Sequence, residues 1–93
     1  MQRGDLTVNA EIEKRVGMNI RILRERRGMT QETLATKLQL SGCDITRSAV
    51  AKIEVGQRHL YPDEVILIKE ILQVCFSEIF DTRPMPQEEN SLQ

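Results

Sequence analysis

Apolar residues recur at Ile12, Val16, Ile20 and Leu23, with polar and charged residues between them. Spacings of three and four put them on one face of a helix. Asn9 can cap that helix, and Glu11 and Glu13 suit its positive end. Arg24, Arg26 and Arg27 suit its negative end, and Gly28 supplies a left-handed stop. Gly17 reads as a weak point in the run, since glycine is a poor helix former.

The pattern then restarts. Thr30 caps a second helix, QETLATKLQL, whose buried face is Leu34, Ala35 and Leu38. Ala35 is small where two helices must approach closely. SGCDI reads as a loop. Thr46 caps a third helix, RSAVAKIEV, which Gly56 ends. Pro62 opens a fourth, with Asp63 and Glu64 in its first turn and Val65, Ile68 and Leu72 as its stripe, Ile71 beside them. Ser77 is the expected cap of a closing turn, SEIF, whose Ile79 and Phe80 are expected to fold onto the core. Cys75 reads as packing. The segment TRPMPQEENSLQ is polar and broken by proline. The expectation is an all-α, compact four-to-five-helix bundle at 9–81, between disordered ends at 1–8 and 82–93.

Composition agrees. The chain has 93 residues, no Trp, one Tyr and two Phe, so the core must be aliphatic. That favours packed helices over a sheet sandwich. No run of about 18 apolar residues exists, which argues against a membrane span. The start lacks the apolar stretch of a secretory signal. Two distant cysteines read as reduced thiols, and the expected location is the cytoplasm.

The net charge is only −1, but residues 1–58 carry eleven Lys/Arg against seven Asp/Glu, and residues 59–93 carry two against seven. The chain has a basic front and an acidic back. Such asymmetry says more about an electrostatic footprint than the total does.

The third helix adds chemistry to that front. On a wheel of about 100° per residue, Ser48, Ala51 and Lys52 fall within roughly 140° of Arg47, while Val50 and Ile53 take the opposite side. Arg47 and Lys52 can reach guanine acceptors, and small Ala51 admits a close backbone approach and can touch a thymine methyl.

Residues 20 to 80 resemble the Cro/phage-repressor helix-turn-helix family, also called xenobiotic-response-element-like. The matching pieces are LRERRGMTQETLATKL, AVAKIEVGQR and an apolar helix ending near SEIF. The resemblance implies a lambda-repressor-like bundle in which the second and third helices form the helix-turn-helix. It implies double-stranded DNA as partner, its bases read by Arg47, Ser48, Ala51, Lys52 and Gln31, with Gln31 also contacting phosphate and orienting a partner in the third helix. Thr30, Arg58 and Arg24 become phosphate contacts, and Arg24 with Glu54 becomes a pair joining the first helix to the third. Val55 stands where the family often has a polar or basic residue. QLSGCDIT is about five residues longer than the family's commonest turn. That variant, with LYPDEVILIKEIL after it, is similar to a long-turn subset.

The implied function is a sequence-specific transcriptional regulator, a repressor acting as a homodimer on a near-palindromic operator. An antitoxin of a toxin–antitoxin pair, and a protein-interaction module without a DNA role, are the alternatives. Each brings a protein partner. His59 is alone, so no metal is expected, and no cofactor is implied. Cys43 is a plain loop residue more readily than a redox switch. No nucleophile–base pair, phosphate loop or carboxylate pair points to an enzyme.

Overall fold

The computed structural model describes residues 2–82, with side chains from Ala10 onward. Among them the regular elements are all helical: α1 (Gln2–Arg26), α2 (Gln31–Leu40), α3 (Arg47–Glu54), α4 (Pro62–Leu72) and α5 (Phe76–Ile79). The bundle expected from the periodicity is therefore present. Its first boundary differs. The backbone is helical from Gln2, so Asn9 lies inside α1 and does not cap it. No proline interrupts residues 2–9. The tail expected to be disordered lies, after Thr82, outside the described residues.

Hydroxyl caps start the helices that form the turn. Thr30 Oγ1 accepts from the Thr33 amide at 3.0 Å, and Thr46 Oγ1 from the Ala49 amide at 3.1 Å. Each such cap contributes about 1 kcal/mol. The first four helices end alike, on a left-handed residue: Gly28, Gly42, Gly56 and Gln73. The amide of the next residue reaches back five positions in each case, as in Met29 to the Arg24 carbonyl at 3.1 Å. Gln73 has no glycine's freedom, at φ 58°. Arg27 steadies that end by donating to the carbonyls of Leu72 and Gln73, both at 2.7 Å.

The core is aliphatic. Ile20, Leu34, Leu38, Ile45, Ile68, Leu72 and Ile79 are its most buried large side chains. Ala35 is buried between helices as its size suggested. Ile45 comes from the long turn and plugs the core, while Gln39 Nε2 donates to its carbonyl at 2.7 Å. The extra residues are thus anchored rather than looped out.

Several sequence expectations change. Ile12 and Phe80 are 42% and 49% exposed, so neither joins the core. The α5 cap is Cys75, not Ser77: its amide donates to Glu78 Oε1 at 2.9 Å, and the residue is exposed. The helix starts two residues earlier than expected, with Ile79 buried as expected and Phe80 left outside. Asn19, on α1, fastens this end by donating to the carbonyls of Ile79 and Asp81 at 2.9 and 2.8 Å.

Gly17 is not a weak point. A Cβ there would sit 2.1 Å from the Ile53 carbonyl oxygen and 2.9 Å from that of Glu54. At Gly56 a Cβ would meet the Lys14 Cα at 2.9 Å. The two glycines let α1 lie directly on the C-terminal end of α3.

Candidate nucleic-acid interface

α3 is amphipathic in the way its wheel predicts. Val50 and Ile53 are 2% and 3% exposed and face the core. Arg47, Ser48 and Lys52 are exposed on the other side, with Ala51 half-buried between them. Among the described residues, no side-chain hydrogen bond or ion pair engages Arg47, Ser48 or Lys52. Their polar atoms are available to an external partner.

The angle of α3 is fixed by a buried polar cluster. Arg24 Nε donates to Glu54 Oε2 at 2.6 Å, and Arg24 Nη2 to Glu54 Oε1 at 3.0 Å. Arg24 Nη1 donates to the Met29 carbonyl at 2.7 Å, and Gln31 Nε2 to Glu54 Oε1 at 3.0 Å. One carboxylate on α3 therefore holds α1 and the start of α2 together. The hydrogen bond to Glu54 pushes the Arg24 guanidinium above its ordinary value despite desolvation, so it stays charged. Fork-on-carboxylate geometry is what makes such burial tolerable.

The sequence-derived residues now sort by position. The Arg24–Glu54 pair joins α1 to α3, as the resemblance implied. Arg24 is only 6% exposed, and each guanidinium nitrogen has a protein acceptor, so a phosphate contact from it does not fit this geometry. Gln31 does orient a partner in α3, namely Glu54, and remains half-exposed. Thr30 is exposed at the opening of α2, where free amides can meet a phosphate.

Arg58 is more committed than the sequence suggested. Its Nη1 and Nη2 reach the two Glu64 oxygens at 3.0 and 3.1 Å, and Nη1 also donates to the His59 carbonyl at 2.8 Å. Its guanidinium carbon lies 5.9 Å from the Tyr61 ring centroid. The charge is largely answered within the protein, so its role as a phosphate clamp requires competition with Glu64.

Sequence reasoning placed Glu64 in the first turn of α4 but missed its pairing with Arg58. It is buried at the third position of α4 and also accepts from the Tyr61 amide at 3.0 Å. An acid three residues after a helix opening was the available signal. Burial alone would raise its carboxyl, but Arg58 and the Tyr61 amide outweigh that and hold it below the ordinary glutamate value. The sign follows from linkage. Between the folded and unfolded values the unfolded chain binds more protons, so the stabilisation is complete above the ordinary value of about 4.3 and fades as pH falls through the folded one. We expect the stability gap between wild type and Glu64→Gln to shrink over that acid window. Urea midpoints measured at stepped pH check this, and a constant gap would contradict it.

Cys43 packs at the core margin. Burial first, then Glu64 and Asp63, push its thiol up, which disfavours the reactive thiolate. His59 Nδ1 lies 2.7 Å from Glu13 Oε2. Among the described residues, no group of three or more His, Cys, Asp or Glu side chains could hold a metal ion. No helix of the described residues is long and apolar enough to cross a membrane.

A family model described as helix-turn-helix matches residues 20–79, which is more than half of the chain. No curated protein matches the chain. No solved structure matches it either.

Proposed function

The chain belongs to the helix-turn-helix family of XRE/Cro-like regulators, and from that premise we propose that it represses transcription by occupying a near-palindromic operator as a homodimer. The family is one of DNA-binding transcription regulators, generally without catalytic activity; the repressor role, the dimer and the operator are our reading. It rests on one observation: Arg47, Ser48 and Lys52 are exposed on α3 without a side-chain partner among the described residues, beside a buried cluster that fixes the helix. Cations left unpaired while Arg24 and Arg58 are paired suit an external anion.

In this reading α3 enters the major groove, Arg47 takes a guanine by a bidentate contact, and Ala51 lies against the groove floor. Thr30 and Gln31 set α2 against the phosphate backbone. A single short helix spans few base pairs, so a second copy doubles the contacts on half-sites about one helical turn apart. The outer side of α4 and α5, with Ile66 and Phe76 exposed at 47% and 42%, supplies the pairing surface in this proposal. Its site of action is the cytoplasm, where the DNA is accessible.

Arg47→Ala is the test. It should cost about 1–3 kcal/mol of discrimination at one base pair in each half-site and little at the others. Affinities for the preferred duplex and its single-base variants measure this. Equal loss on every sequence would reduce Arg47 to a phosphate contact.

A further inference from the structure

A cavity of about 130 Å³ opens to solvent where α1, the C-terminal end of α3 and the start of α4 converge. Its walls are Val16, Gly17, Ile53, Leu60, Val65 and the half-exposed ring of Phe80. Glu13 and Arg58 also border it. Arg58 is bridged to Glu64, and Glu13 Oε2 lies 2.7 Å from His59 Nδ1.

We propose that this cavity is a binding site for an uncharged, single-ring aromatic molecule of about the size of phenol. Volume sets the size: an apolar cavity of about 150 Å³ is known to take benzene and to stay dry without it. The aliphatic walls select against an ion. The Phe80 ring adds an aromatic wall, against which another ring can pack edge-on or offset. Such a ligand covers the apolar surface that the unburied Phe80 leaves open.

The site also touches the DNA-reading element. Ile53 belongs to α3, and Gly17 lies against the Ile53 and Glu54 carbonyls at the same crossing. A ring packed against Val16 and Ile53 bears on the α1–α3 crossing. Occupancy and duplex affinity are therefore coupled, and the coupling is reciprocal. This regulatory consequence rests on the DNA-binding reading; the site itself does not.

The experiment is a titration of the full chain with phenol, without DNA, followed by the methyl NMR signals of Val16, Ile53, Leu60 and Val65. The expected result is a concerted, saturable shift of these methyls at millimolar phenol. Val65→Phe, which fills the space, should weaken binding by roughly tenfold or more. Leu60→Phe, at a half-exposed wall position, gives the same result if Val65→Phe does not fold. No saturable shift in the wild type, or undiminished binding in a folded filled variant, would overturn the site. Duplex affinity with and without saturating phenol reads the coupling. An unchanged affinity beside saturable methyl shifts would overturn the regulation and leave the site standing.

Discussion

Glu54→Ala should lower stability by about 3–5 kcal/mol, the cost of leaving one member of a buried ion pair alone. Arg24 would keep its charge at 6% exposure, with only the Met29 carbonyl left as acceptor. Gln31 would lose its partner as well. For a domain of this size the shift in melting temperature is on the order of 15–30 °C. Since small domains hold roughly 5–15 kcal/mol, a substantial unfolded population is expected at warm temperatures. Thermal and urea denaturation check this directly. The double variant Arg24→Met with Glu54→Leu separates two accounts. If the loss comes from an orphaned charge, the double variant recovers much of it, because an apolar pair of similar volume can replace a buried ion pair. A melting temperature unchanged in Glu54→Ala would mean that the pair is solvated and does not fix α3.

Gly17→Ala makes a prediction whose sign is in dispute between local and tertiary reasoning. Helix propensity alone says that alanine stabilises an interior helical position by roughly 1 kcal/mol. The packing says the opposite. The new methyl would stand 2.1 Å from the Ile53 oxygen, a backbone atom that cannot swing away. α1 and α3 would have to part, at the upper end of the roughly 1–3 kcal/mol that overpacking costs, less the small propensity gain. DNA affinity should fall as well in the fraction that remains folded, since α3 tilts with the crossing. Denaturation midpoints and duplex titrations on the same preparation test both parts. A variant as stable as wild type would show that the two helices do not approach this closely.

That glycine shows where the sequence stops being legible. The spacing of Val16, Ile20 and Leu23 identifies α1 because periodicity is local. Whether Gly17 weakens that helix or admits another depends on what crosses it, and nothing near it in the chain says so. Thr30, Thr46, Gly28 and Gly56 were readable as helix ends, since caps and left-handed stops are written within a few residues. Arg24 with Glu54 came only from the family resemblance; thirty residues separate the partners. Arg58 illustrates the opposite limit. A cation just after α3 suggests a phosphate contact, and the buried Glu64 that takes its charge lies six residues on, across a turn whose geometry the sequence does not specify. Phe80 reads as folding onto the core with Ile79, yet it is 49% exposed. Of the exposed face of α3, the wheel is sufficient to group Arg47, Ser48, Ala51 and Lys52, because burial of Val50 and Ile53 decides which side remains.

The central claim is that this face of α3 reads a duplex sequence in pairs. Selection of the purified chain on a pool of random duplexes, followed by a salt titration of the winner, tests it most directly. The expected result is an enriched near-palindrome whose half-sites lie about one helical turn apart, bound by two chains, with affinity falling steeply in salt. A pool that stays random, or no binding even at low salt, would contradict it.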